Sequence, residues 1–500
     1  MPLFWRISLR LLFSQELELL GHLSLDARDS TDHELRTAPI LTRDAYLAAG
    51  GHRSFPQRGV LGSILAVYDK SGSNTGNVPD GSRIYVNTNA PFSALVCGVQ
   101  GSGKSHTVAV LLEDMLIPNQ RKIGTLKKPL SGLVLHFGEG GPYSQPSEAA
   151  WVGVPGLGVL SPPKIRVYVS ASSLNTMRAV YAPFGANVTV EPLLFRESEL
   201  DAQAFLSMMA VGSSDSVPLY MQIVLSILRE LGENYTYKGF MTSLEARKKK
   251  FNPQQLSGLE QRMALLESFL DHKAIKKGRP AHSRFVAGQL TIIDLSDPFI
   301  DPASACGFFE IITRLFVRAK VDTGKVLVVD EAHKYLSAEK GSSGLTKELL
   351  SLIRQQRHQA MRVIISTQEP TVVPPVLLDL CSVAILHRFS SPAWWEHVAK
   401  HVSADVDSSE AFDKVVNLQV RAALKFRKMT SRTLTMNTPL RQTGQAIVLA
   451  PSGLGMFRDR SDPLTGARCS LGQFARRCVL VKTRKRITKD GGASVLVVES

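Results

Sequence analysis

The chain has 500 residues, a net charge of +15 and 44% hydrophobic residues, enough for two or three average domains or one large domain with insertions. No apolar run reaches the ~18 residues of a membrane-crossing helix, which excludes a transmembrane span. The five cysteines (Cys97, Cys306, Cys381, Cys469, Cys478) show no Cys-x-x-Cys spacing. That excludes a zinc ribbon or a disulfide framework and fits reduced core thiols in a soluble intracellular protein, cytoplasmic, nuclear or organellar.

In chain order, residues 1–13 are apolar, with Arg6 and Arg10 and no acid before Glu16. A docked amphipathic helix is the plainer reading, an organellar presequence the other. Residues 60–68 and 82–86 read as a strand pair split by the turn-rich 71–81, so residues 1–81 form a separate N-terminal segment with a small β element. Residues 93–97, Ser-Ala-Leu-Val-Cys, suit a buried strand, and an apolar helix follows from Thr107. Between them lies Gly98-Val-Gln-Gly101-Ser102-Gly103-Lys104-Ser105-His106. This strand, glycine-rich loop and helix is the context a phosphate-binding loop requires. Glycines let backbone N–H groups turn inward around phosphates, and the helix N-terminus adds partial positive charge. Lys104 is expected to reach the β- and γ-phosphates and the Ser105 hydroxyl to ligate Mg²⁺. Gly98, Gly101, Ser102, Gly103 and His106 complete the nucleotide-binding set. The competing reading is a glycine-rich turn that only resembles the pattern.

Residues 118–129 form a basic loop and 133–137 the next strand. Residues 138–163, with six glycines and five prolines, read as a long surface excursion. Strands are expected over 165–169 and 188–194, and helices over 198–210 and 218–231, the latter with Leu219, Ile223, Ile227 and Leu231 on one stripe. A helical insertion, about 235–285, carries Arg247-Lys248-Lys249-Lys250 and then Leu256, Leu259, Met263, Leu266 and Leu270. A solvated face with a core stripe is its plainer reading, and a nucleic-acid contact the alternative. Residues 288–295 read as a core strand and 303–320 as an amphipathic helix.

Val326 to Val329 is a continuous apolar run, as in a central parallel strand, and it ends in Asp330-Glu331. Open α/β sheets place ligands at such carboxyl ends. Asp330 would hold Mg²⁺ through water, and Glu331 would polarise the attacking water. An acidic pair capping a helix that starts near Ala332 is the competing reading. A helix over 345–358 follows, then strands over 362–366, ending in Thr367-Gln368, and 383–386, ending in His387-Arg388. The alternation argues for an α/β fold with a mostly parallel sheet and helices on both faces. Asp330-Glu331-Ala332-His333 also spells a helicase-class signature, but Lys104 and Asp330 stand 226 positions apart, about twice the separation in those enzymes. Between Arg421 and Lys489, sixteen Lys and Arg face only Asp459 and Asp462. Lys482, Arg484, Lys485, Arg486 and Lys489 cluster at the end of that stretch, which suits a nucleic-acid backbone. A solvated face, or contacts with acidic patches of neighbouring subunits, is the alternative.

Ser366-Thr367-Gln368-Glu369-Pro370 and Asp330-Glu331-Ala332-His333-Lys334-Tyr335-Leu336 together resemble the HerA and FtsK group of RecA-like ATPases. Relatives include ATPases of conjugation and viral DNA packaging. Val373-Pro374-Pro375, Ala384 to Arg388, Gly444 to Leu449 and the stretch from Val481 are similar to HerA segments, so the resemblance covers roughly residues 82–492. It implies a RecA-like P-loop core over 82–450, completed by a basic tail over 451–500, with ATP and Mg²⁺ as ligands. It also implies a homo-hexameric ring that moves double-stranded DNA through its channel. Gln368 would sense the γ-phosphate, and an arginine from the neighbouring subunit would complete the site. Arg388 is the first choice for that arginine and Arg357 and Arg354 follow, with surface salt bridges as the plainer role for each.

Two departures stand out. HerA proteins carry an acid before His-Gly-Glu, whereas here the run is Leu135-His136-Phe137-Gly138-Glu139, and the N-terminal barrel is short. Three functions compete. The first is an ATP-dependent DNA translocase or helicase-like motor, working with a nuclease supplied by another protein. The others are a P-loop ATPase that remodels protein or secretion complexes, and a nucleotide-binding scaffold.

Overall fold

A computed structural model describes residues 33–69, 82–156, 161–209, 220–271, 283–336, 344–401, 413–416, 418, 444–458 and 469–491. The strands in chain order are β1 (Ile40–Thr42), β2 (Arg58–Tyr68), β3 (Arg83–Val86), β4 (Ser93–Cys97), β5 (Gly124–Thr125), β6 (Ser131–His136), β7 (Lys164–Val169) and β8 (Val188–Pro192). They continue with β9 (Gln289–Asp294), β10 (Lys325–Val329), β11 (Met361–Thr367), β12 (Val383–Leu386), β13 (Gln445–Leu449), β14 (Leu454–Arg458), β15 (Cys469–Gln473) and β16 (Cys478–Thr483).

Strands β4, β6, β9, β10, β11 and β12 are buried along their whole length, as their unbroken apolar runs require of a sheet covered on both faces. They run parallel, with β7 and β8, in the order β12-β4-β11-β10-β6-β9-β7-β8. Side chains alternate between two cores, as the two-residue strand period dictates. Ala94, Val96, Val134, Val326, Val328 and Ile364 face the helix Lys104–Leu116. Leu95, Leu133, Leu327, Val329, Val363 and Ile365 face the helices Pro302–Arg318 and Gly344–Gln355 and the insertion. The chain is thus an α/β protein with a RecA-like P-loop core and helices on both faces of a mostly parallel sheet.

Local rules set the helix starts. Asp301 accepts hydrogen bonds from the N–H groups of Ala303 and Ser304, and Pro302 occupies the first helical position. The helix Tyr220–Leu231 leads into the insertion, whose described helices are Tyr237–Arg247 and Pro253–Glu267. The buried stripe of the first is Tyr220, Met221, Val224, Ile227 and Leu228. It is rotated by about one residue from the expected one, and Ile223 and Leu231 pack only at its margin. Tyr220 and Met221 supply the large apolar surface that draws that face inward.

Beyond β12 the sheet turns antiparallel and continues through β13, β16, β2, β3 and β1; β14 then pairs parallel with β1, and β15 antiparallel with β14. Strands from the first ninety residues and from beyond residue 444 therefore interleave. Arg58 lies over the rings of Tyr46 and Tyr85, at 4.4 and 4.6 Å, in a small third core.

The expected surface excursion over 138–163 is partly internal. Its 3-10 turn Glu148–Gly153 buries Ala149, Ala150, Val152 and Gly153 in the same core as the helix Lys104–Leu116. The apolar Ala149-Ala150-Trp151-Val152 outweighs the surrounding glycines and prolines. Cys97, Cys306, Cys381 and Cys478 are buried free thiols, whereas Cys469 is exposed. No helix among the described residues is long and apolar enough to cross a membrane. The apolar start at 1–13 lies outside the described residues.

Candidate functional site

The carboxyl ends of β12, β4, β11, β10, β6 and β9 lie side by side and deliver, in that order, His387, Gly98, Gln368, Asp330, His136 and Asp294. The loop after β4 needs its glycines. Gly98, Gly101 and Gly103 have φ of +151°, +72° and +111°, and a Cβ on Gly98 would lie 2.7 Å from that of His387. Val99 N–H donates to the Arg388 carbonyl (3.0 Å), tying the loop to the end of β12. The Ser102 hydroxyl and the Lys104 ammonium both donate to the Val99 carbonyl, at 2.6 and 3.1 Å. Lys104 is 4% exposed. Burial pulls its pKa down, and nearby Glu331 and Asp330 oppose that shift. Ser105 is half-buried in the first helical turn. The His106 ring turns away toward residues 484–490, with contacts to Asp490 Oδ2 (3.2 Å) and the Arg484 carbonyl (2.8 Å). Its main-chain N–H, in the first helical turn, is the group it can offer a phosphate.

Asp330 is built to stay ionised. Burial would raise its pKa, but His136 at 3.3 Å, the Ser366 hydroxyl and the Glu331 N–H hold it below the usual range. Its N–H donates to the Leu135 carbonyl, and its own carbonyl accepts from the Tyr335 hydroxyl (2.9 Å). Glu331 follows at φ +49°, a left-handed conformation uncommon outside glycine and often found at functional sites. Its side chain makes no cap to the turn Ala332–Lys334, so the capping reading fails. Instead Glu331 Oε2 accepts from Gln368 Nε2 at 2.9 Å, with His333 Nε2 at 3.4 Å. Gln368 N–H points to His333 Nδ1 (3.4 Å). Lys104, Asp330, Glu331 and Gln368 are therefore brought together at adjoining strand ends. This arrangement can cradle a triphosphate, hold a divalent cation between the Ser105 hydroxyl and Asp330, and orient a water at Glu331.

The donor set suits Mg²⁺. One hydroxyl and one carboxylate held ionised are what a magnesium-nucleotide site takes from its protein, the rest coming from phosphates and water. Among the described residues no group of three or more His, Cys, Asp or Glu could hold a metal by itself.

Three features escaped the sequence reading. His387 is buried beneath the loop, with Nδ1 3.1 Å from the Gln445 carbonyl and Nε2 3.0 Å from Thr107 Oγ1, itself 3.2 Å from Thr483 Oγ1. A carbonyl only accepts, so Nδ1 carries the proton and Nε2 accepts from Thr107. Burial, with Lys104 nearby, pushes its pKa down to about 3, so the ring stays neutral. A lone histidine at a strand end carried no sequence signal for this. Next, His136 pairs in register with Asp294 on β9. That register sets a carboxylate beside His136 on the adjoining strand, and Glu139 is exposed. Asp294 and Asp330 raise the His136 pKa against burial. His333, quoted in the motif after Glu331 but given no role there, is the third.

The basic tail differs from expectation. Arg484 Nη1 donates to Glu113 (2.6 Å), Nη2 to Asp114 (2.9 Å) and Nε to the Val60 carbonyl (2.8 Å). Glu113 is fully buried and also accepts from Ile487 N, Thr488 N and the Thr488 hydroxyl, with Arg486 Nε 3.9 Å away. Two of the five clustered basic residues are therefore internal, because the helix Lys104–Leu116 turns two carboxylates inward. Lys482, Lys485 and Lys489 remain exposed. In the insertion, Arg247 pairs with Glu230 and Lys248 with Glu245, which supports the plainer reading of that run. The Arg388 side chain is exposed beside the loop, while Arg354 and Arg357 are exposed near the amino end of β11, at the far end of the strands.

Strand order, glycine loop and acidic strand end together define an α/β protein of RecA-like fold with a P-loop sequence at its strand ends. No known family profile and no curated protein matches the chain. Among solved structures it is similar to VirB4 of Thermoanaerobacter pseudethanolicus, at 11% identity over 85% of this chain and 96% of that one, TM-score 0.44. It is also similar to the bacterial conjugative coupling protein TrwB, at 12% identity over 68% and 82%, TM-score 0.36. A third is the genome packaging NTPase B204 from Sulfolobus turreted icosahedral virus 2 in complex with ATP-gammaS, at 10% identity over 77% and 97%, TM-score 0.28. Likeness at this distance leaves the class to rest on the chain's own topology.

Proposed function

We propose that this chain is an ATP-hydrolysing motor that moves along DNA as a homo-hexameric ring, with Mg²⁺ at the Ser105–Asp330 position. The observation that carries the reading is the Gln368–Glu331 hydrogen bond of 2.9 Å at the strand ends beside Lys104. A carboxylate with no binding duty is held by an amide one strand away, where a γ-phosphate would compete for that amide. Bound Mg²⁺ would neutralise developing phosphate charge. Lys104 would hold the phosphates, and Glu331, once released by Gln368, would accept a proton from the attacking water. Arg388 is the proposed arginine for a neighbour's site, on its exposure beside the loop. A separate nuclease would process the DNA that the ring moves.

The test is steady-state ATP hydrolysis with and without linear double-stranded DNA at low and moderate salt, with Glu331→Gln as the blank. Salt-sensitive stimulation by DNA is expected, together with retained ATP binding and lost turnover in the variant. Normal turnover by Glu331→Gln would remove that residue from the mechanism. A second reading, an ATPase that remodels protein complexes, draws support from Arg484 and Arg486, whose charges are spent on Glu113 and Asp114 and not presented to a nucleic acid. Hydrolysis indifferent to DNA would favour it.

A further inference from the structure

A cavity of ≈ 100 Å³ opens on the insertion, lined by Phe195, Glu197, Tyr237, Met241, Glu267, Leu270 and Asp271. It is too small for a nucleotide or drug-sized ligand, which takes about 300–1,000 Å³, but it has room for a side-chain head group. Its frame is firm. Phe195 N–H donates to the Phe269 carbonyl (2.6 Å) and Asp271 N–H to the Phe195 carbonyl (2.8 Å), while Thr236 caps the helix that begins at Tyr237. Its floor is apolar and aromatic, and the charges among its described lining residues are all negative, in a chain whose net charge is +15. Among the described residues neither Glu197 nor Glu267 has an ion-pair partner. Tyr237 is 8% exposed and its hydroxyl makes no hydrogen bond. The phenol is pushed up to about 12 by burial, then by Glu267 and Glu197, so the hydroxyl and both carboxylates share one environment.

We propose that this pocket receives the side-chain cation of an arginine or lysine carried by a polypeptide partner. The same chemistry occurs nearby. The Arg284 guanidinium bonds Glu199 and the Leu194 carbonyl and lies 5.9 Å from the centre of the Phe195 ring. An organic cation suits such ring-and-carboxylate walls, whereas a hydrated divalent ion prefers oxygen ligands on all sides. The pocket also gives a basic chain a local point of attraction for basic partners, against its overall field.

The experiment titrates the full chain with a fluorescein-labelled Gly-Ser-Arg-Gly-Arg-Ser-Gly peptide by anisotropy, with a twin carrying Glu in place of Arg. Saturable binding of the arginine peptide alone is expected, weakened about tenfold by Glu267→Gln and by Glu197→Gln, roughly the loss of one charge-assisted hydrogen bond. Tyr237→Phe, which keeps the ring, should weaken it less. Unchanged melting temperatures for the variants keep the comparison valid. Equal binding by all variants, or none by the intact chain, overturns the proposal. So does displacement of the peptide by millimolar Mg²⁺, which would assign the carboxylates to a metal.

Discussion

Glu331 stands in a left-handed backbone conformation with its carboxylate shared between Gln368 and His333, so two side chains govern one oxygen. Gln368→Ala should lower kcat for ATP by about 10²-fold, the usual loss for a single stabilising donor, with nucleotide affinity nearly unchanged. Rapid-quench turnover and equilibrium nucleotide binding separate the two. Lys104→Ala should do the opposite and weaken nucleotide binding first. His387→Ala would leave Thr107 and the Gln445 carbonyl without their partner and open a cavity under the loop. A loss of about 2–4 kcal/mol in urea unfolding is expected. The glycines, Lys104, Ser105, Asp330 and Glu331 were legible because their spacing sits in a strand–loop–helix context that chance rarely supplies. His387 was not, because its meaning lies in Thr107 and Gln445, neighbours that only the folded sheet provides.

At the scale of elements, the segment 484–490 is bound across the helix Lys104–Leu116 from His106 to Glu113. Arg484→Ala would take from Glu113 its nearest cation and from Asp114 its guanidinium donor. It should cost about 3–5 kcal/mol, readable as a lower denaturant midpoint. Asp114 gives a pH signature. Burial, against Arg484, pushes its carboxyl up to about 7 from 3.8. The folded state therefore binds the proton more tightly, and this group makes stability fall as pH rises from about 4 to 7, then levels off. Asp114→Asn should remove that fall. Relative to the parent, the variant should gain up to about 4 kcal/mol between pH 4 and 7, measured by denaturation at each pH. A parallel pH profile for the two proteins would rule out the assignment. Arg484 belongs by sequence to a cluster suited to a nucleic-acid backbone, because a charge run does not say where each guanidinium points.

For the whole molecule, the parallel core was readable strand by strand, since strands covered on both faces must be continuously apolar. How its margins assemble was not. Nothing in the sequence pairs β2 with β16 or places β13 against β12, because antiparallel partners so distant leave no local trace. The stripe of the helix Tyr220–Leu231 shifted by a residue for a related reason. Which apolar side chains turn inward is settled by what they meet.

That interleaving sets a timetable for synthesis on the ribosome. Strand β2 has emerged by Tyr68, yet its partner β16 starts at Cys478. At roughly 5–20 residues per second the wait is on the order of 20–80 s. Throughout it the β2 edge that β16 will cover lies open, and from Leu386 to Gln445 the β12 edge that β13 will cover does too. Nascent chains of this protein should therefore depend on chaperones until residues 445–483 appear. Stalling translation upstream of residue 445 should yield protease-sensitive chains, while release after 491 should yield resistant ones.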